Sequence, residues 1–121
     1  MQEFTANLYS RAKNFLDAAV YNMKGGYYDV SAVLFSKAVY LVLVGKLLEA
    51  GVEIPWYLDF SGLFRLLKKK LNVEVDNKEL PKILDLVRIE DCYLTPVEIS
   101  RSDVEELSKE VEELFKKLNV I

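Results

Sequence analysis

Residues 27–51, YYDVSAVLFSKAVYLVLVGKLLEAG, decide the fold. The stretch reads as one long helix that is apolar on nearly every side and stops at a glycine. Between Lys37 and Lys46 no side chain is charged or carries an amide. A helix without a polar face must be covered on every side. A chain of 121 residues offers few neighbours to do this. The stretch is therefore the hub of a small bundle or part of an interface between two copies.

Upstream, Phe4, Leu8, Ala12, Phe15, Leu16, Ala19 and Met23 recur at three- and four-residue steps, which predicts a helix over 3–24. Gly25 and Gly26 end it, because glycine accepts the left-handed backbone of a helix terminus. The short break makes the two helices an antiparallel hairpin. Downstream, Pro55 forbids helix and holds Ile54 extended, so residues 52–60 are a connector. Trp56, Tyr57 and Phe60 within it are expected to fold against the bundle; the alternative for Trp56 and Tyr57 is to stack on a base.

A third helix is expected over 61–72, with Ser61 as N-cap and Leu63, Phe64, Leu66, Leu67 and Leu71 on its apolar side. A fourth is expected over 80–93, with Leu80, Ile83, Leu84 and Val87 on one face and Pro81 at the first helical position. Pro96 closes that region. Ser102 and Glu105 match a capping box that opens a fifth helix. In it Val104, Leu107, Val111, Leu114 and Leu118 form a narrow seam. No segment alternates with period two, so the reading is one all-α domain over 1–121.

Composition removes several chemistries. The chain has no histidine, the commonest general base and metal ligand. Its one cysteine, Cys92, excludes an internal disulfide or a multi-cysteine metal site, and reads as a small buried hydrophobe. The expectation is no metal and no cofactor. The net charge of −3 argues against a broadly basic nucleic-acid binder but leaves room for a local basic face. Lys37 and Lys46 interrupt the longest apolar run, so no membrane span is expected. The polar residues 1–10 show no signal peptide, which gives a cytoplasmic expectation. Richness in Tyr, Val, Leu, Lys and Glu suits a thermophile.

Three runs together carry a resemblance: AKNFLDAA at 12–19, GYYDVSA at 26–32, and FSKA at 35–38 continuing to KLLEAG at 46–51. With the Pro55 connector and the spacing of Leu63, Leu66 and Leu67, the chain resembles the HEPN family over roughly residues 8–118. The resemblance implies a five-helix up-and-down antiparallel bundle that dimerises to build a cleft. Active members are metal-independent RNases with an Arg-x(4–6)-His motif, often toxins, and many are encoded beside a small nucleotidyltransferase that acts as antitoxin. Others bind without cleaving. Here Arg88 stands at the expected arginine position, but Tyr93, Leu94 and Thr95 occupy the window where the histidine falls. A tyrosine with a pKa near 10 is a poor base at neutral pH.

The residues therefore favour a noncatalytic or cryptic HEPN-type protein. Such a protein binds a protein partner or a nucleotide or RNA, as a homodimer and in a toxin–antitoxin-like pairing with a nucleotidyltransferase. The alternatives are an RNase using Arg88 with Tyr93 or Asp91 as base, and a purely structural dimerisation module. Arg88, Glu90, Asp91 and Tyr93 form the densest polar group at a helix end, with Arg88 as a bidentate anion donor. The competing reading pairs Arg88 with Asp85 or Asp91, each three residues away. Arg65, Lys68 and Lys69 belong to the one basic run and form a candidate phosphate contact, or else a solvated face. Between Asp103 and Lys117, six acidic side chains outnumber three basic ones, so nucleic acid must approach elsewhere. Gly45, inside the central helix, permits the close approach of another helix, at an interface between copies or at a crossing in the core.

Overall fold

The structure is a computed structural model and describes residues 2–87 and 98–121. These form five helices: α1 (Gln2–Lys24), α2 (Tyr28–Glu49), α3 (Phe60–Leu71), α4 (Leu80–Val87) and α5 (Arg101–Lys117). Among the described residues there is no strand. Helix α2 touches all four others and is the hub. Phe35, Ala38, Val39, Val42, Leu43 and Leu47 are fully buried on it.

The α1–α2 pair is antiparallel, and named contacts fix its register. Near the turn, the Ser31 hydroxyl donates to the Ala19 carbonyl at 2.6 Å. At the far end, the Tyr9 hydroxyl donates to Glu49 Oε2 at 3.0 Å, and Lys46 Nζ sits 5.0 Å from the centre of the Tyr9 ring. Burial, and then the Glu49 carboxylate, raise the pKa of the Tyr9 phenol well above its ordinary value. Between these ends Ala12, Leu16 and Ala19 face α2 with small or branched side chains that let the two helices lie close.

Both glycine stops behave as the sequence indicates. At Gly26 (φ +85°) and Gly51 (φ +74°) the chain turns left-handed. The Gly26 N–H then donates to the Met23 carbonyl and the Tyr27 N–H to the Asn22 carbonyl; the same pair forms from Gly51 to Leu48 and from Val52 to Leu47. Two predicted starts are corrected. The cap of α3 is Asp59, not Ser61: Asp59 is extended (φ −86°, ψ −177°) and its carboxylate accepts from the Gly62 N–H at 2.8 Å. The cap of α5 is Ser100, not Ser102. Its hydroxyl accepts from the Asp103 N–H at 3.2 Å, and Asp103 accepts in return from the Ser100 N–H at 3.1 Å. The capping box exists, two residues earlier and with Asp in the place of Glu.

The α5 seam faces the protein's own core. Val104, Leu107, Val111, Leu114 and Leu118 are all buried, and Phe115 joins them. Coverage of α2 is incomplete: Val30 remains 48% and Tyr40 43% exposed, and Val33 and Val44 are half-buried. By length and composition alone α2 is apolar enough to cross a membrane, which corrects the expectation that no stretch is. Of its most apolar stretch, 56% is buried within the bundle.

A further correction concerns the connector. Phe60 is buried, as expected, but Trp56 is 93% and Tyr57 70% exposed. The Leu58 N–H donates to the Pro55 carbonyl at 3.2 Å, which makes Trp56 and Tyr57 the two corner residues of a tight turn. Corners point outward. Leu58 and Phe60, beyond the turn, take the inward positions instead.

Candidate basic site between α3 and α4

Helix α3 separates its residues cleanly. Leu63, Phe64 and Leu67 face the core, while Arg65, Lys68, Lys69 and Lys70 are exposed. The three lysines fall in its last turn, where they complement the negative end of the helix dipole. Asn72 ends the helix in the left-handed conformation (φ 55°), and its side-chain oxygen accepts from Lys68 Nζ at 3.1 Å. The loop that follows returns beside α3. Val73 and Val75 pack on the core, and Glu74 comes within 3.2 Å of Lys68 Nζ.

Helix α4 is tied to the opposite end of α3 by one side chain. Asp85 Oδ1 accepts from the Phe60 N–H at 2.8 Å, and Oδ2 lies 3.4 Å from both the N–H and the hydroxyl of Ser61. The first turn of α3 thus has two carboxylate partners, its own Asp59 and Asp85 from α4. The sequence suggested Asp85 as an ion-pair partner for Arg88, which lies outside the described residues; both Asp85 oxygens accept from the first turn of α3.

This clamp brings the first turn of α4 alongside the outer face of α3. The hollow between them has a volume of about 420 Å³, and Arg65, Lys68, Lys78 and Lys82 line it. Among the described residues, Glu74 is the one acid on its wall. It engages Lys68, and Lys82 lies 3.9 Å from Glu79. Phe64, Val73, Val75 and Pro81 make its apolar floor. Among the described residues, four cations against one lining carboxylate give a net positive wall on a net negative chain. The amino end of α4, with Pro81 in its first turn, adds the positive end of a helix dipole.

Arg65 and Lys68 therefore come together as the sequence suggested. Lys69 shares the helix but does not line the hollow. Arg88, Glu90, Asp91 and Tyr93 lie outside the described residues, as does Cys92. Lys78 and Lys82 were not singled out from sequence. Their signal was a pair of lysines four apart on either side of the α4 start, legible only once α3 and α4 are known to pack together. Among the described residues no group of His, Cys, Asp or Glu is arranged to hold a metal ion.

A family model for the HEPN domain matches residues 5–121. The chain belongs to the HEPN domain family. No curated protein and no solved structure matches it at a significant level. The HEPN match covers all five helices, so the bundle and the hollow between its third and fourth helices both lie within the family's domain. In this HEPN protein, with no histidine anywhere in the chain, no imidazole is available for proton transfer.

Proposed function

We propose that this HEPN-domain protein binds RNA or a nucleotide through phosphate groups and does so without cleaving it. The observation that carries the reading is the convergence of Arg65, Lys68, Lys78 and Lys82 on one hollow between α3 and α4. Phosphates are held by such clusters through charge and through displacement of counterions. Arginine adds a planar fork that matches a phosphate's two oxygens. Without imidazole, a bound strand meets no group of ordinary neutral-range pKa to take up its 2′-hydroxyl proton.

The test is a fluorescence-anisotropy titration of a labelled single-stranded oligoribonucleotide. Binding is expected to weaken steeply between about 50 and about 200 mM salt. Lys68→Glu and Lys78→Glu should each weaken it. Lys70→Glu changes the net charge equally on an exposed site that does not line the hollow, and should weaken it far less. Equal losses in all three variants would reduce the hollow to nonspecific attraction and end this reading.

A homodimer forms part of the same proposal. Its support is the amino end of α2, where the bundle leaves Val30 about half exposed and Val33 half-buried. Pairing with a nucleotidyltransferase, as in the toxin–antitoxin arrangement common in the family, is the partner proposed here. Co-expression and co-purification with a nucleotidyltransferase encoded beside it tests this.

A further inference from the structure

A second hollow, of about 330 Å³, opens on the other side of the α3 start, beside Trp56. Phe60, the first residue of α3, lines this one, and Ser61, the next, lines the basic hollow. Arg11 of α1 and Lys37 of α2 stand on its wall, and Phe15, Tyr40 and Phe60 line its apolar part. Among the described residues, none that lines it is acidic.

Three features of this hollow point the same way. Trp56 is the most exposed large apolar side chain described, held outward by the turn that Pro55 closes. Tyr57 meets it edge to face, with 5.9 Å between ring centres and 85° between planes. Such a neighbour can occupy at most one face of the indole and leaves the other open. Tyr40 is held edge to face on the buried Phe60, with 6.3 Å between ring centres, and is itself 43% exposed, so a second ordered aromatic ring reaches the hollow. The volume sits at the lower end of the range of about 300–1,000 Å³ for small-molecule sites, which suits one nucleotide unit and not a duplex. Flat aromatic surface joined to cations is the chemistry that takes a base and its phosphate together.

We infer that the Trp56 hollow binds a single nucleotide unit, its base stacked on the indole and its phosphate held by Arg11 and Lys37. The ligand class follows the nucleotide-binding reading given above, but the site is separate from the basic hollow. The same chemistry is offered by a free mononucleotide and by an exposed nucleotide of single-stranded RNA. An RNA strand would cross the first turn of α3 and continue into the basic hollow.

Trp56 is the chain's one tryptophan, so its emission reports on this site alone. The experiment titrates wild-type protein with AMP, with a short single-stranded oligoribonucleotide, and with inorganic phosphate. AMP and the oligonucleotide are expected to quench Trp56 saturably, and phosphate alone is not. Trp56→Leu should weaken oligonucleotide binding, read by anisotropy, on the order of tenfold, in keeping with loss of one stacked base. Its melting temperature should not fall, because the indole packs so little against the bundle. Arg11→Ala should weaken AMP binding and make it less sensitive to salt. Equal affinities for AMP and oligonucleotide identify a free nucleotide as the ligand; a much tighter oligonucleotide identifies a strand.

Emission that does not respond to either AMP or the oligonucleotide would overturn the inference, as would an unchanged affinity in Trp56→Leu. The two sites fail separately. Oligonucleotide binding that depends on Lys68 and Lys78 but leaves Trp56 silent removes this site and keeps the basic hollow. AMP quenching that survives Lys68→Glu and Lys78→Glu, with oligonucleotide binding also unaffected, keeps this site and removes the other.

Discussion

The Tyr9 ring lies directly on the backbone of Gly45. A Cβ built on that glycine would stand 2.5 Å from Tyr9 Cε1 and 3.1 Å from Cζ. The ring is not free to step aside, because its hydroxyl is held by Glu49 and Lys46 covers its face. Replacing glycine by alanine within a helix ordinarily gains about 1 kcal/mol. Overpacking here costs about 1–3 kcal/mol. Gly45→Ala is therefore expected to destabilise the protein by roughly 1 kcal/mol, the difference between those two effects. In a Tyr9→Ala background the clash is gone, and the same substitution should stabilise. Denaturant unfolding of the four proteins of this cycle checks the change of sign.

Asp85 joins two helices through backbone N–H groups, so its removal is felt beyond α4. Asp85→Ala should cost about 1–2 kcal/mol, the upper range for losing a helix cap. Urea midpoints measure this. A comparable loss in Asp59→Ala, and a double variant that loses more than either single one, would show that both carboxylates support the same turn.

The Asp103 carboxylate is held below the ordinary range by the Ser100 backbone N–H and then by the Ser100 hydroxyl. A depressed folded pKa means that its stabilising effect is full above the unfolded carboxylate value. The effect is lost as pH falls through the lower, folded value. Asp103→Asn should therefore melt below wild type at neutral pH, and the gap should close as the pH is lowered past about 4. A gap that stays constant down to strongly acidic pH would refute a charge-dependent cap.

Light scattering tests the homodimer. The chain mass is 13.9 kDa, and the expected particle at micromolar concentration has twice that. Val30→Glu places a charge on the part-covered side of α2, at a residue 48% exposed, and should shift the particle to the single-chain mass with little change in helicity. A wild-type particle at 13.9 kDa refutes the dimer outright.

The order and number of helices were legible in sequence because apolar spacing and two glycine stops are local signals. Gly26 and Gly51 take the left-handed backbone that such stops require. The starts were less legible. Asp59 and Ser61, or Ser100 and Ser102, are equally good capping residues by type, and only backbone conformation chooses between them. Trp56 was misjudged for a related reason. Its hydrophobicity argues for burial, but the turn from Pro55 to Leu58 sets its direction first. Arg65 and Lys68 were visible as a basic run, whereas Lys78 and Lys82 join them only through the α3–α4 contact that Asp85 makes. Gly45 reads as a place where another helix approaches closely. The structure supplies α1, which meets it through the ring of Tyr9.

Asp85 also bears on the order in which this chain assembles. A helix whose first turn depends on a carboxylate from a later segment cannot reach full stability while it is the end of a nascent or truncated chain. The hairpin of α1 and α2 has no such dependence: its stops, its hydroxyl bond and its ring contact all lie within residues 2–52. Contacts between neighbouring segments close with little loss of chain entropy, so this hairpin is the natural first structure on the folding route. Helix α3 then consolidates only when α4 arrives. A fragment ending at residue 79 should accordingly keep a folded α1–α2 hairpin and exchange its α3 amide protons quickly.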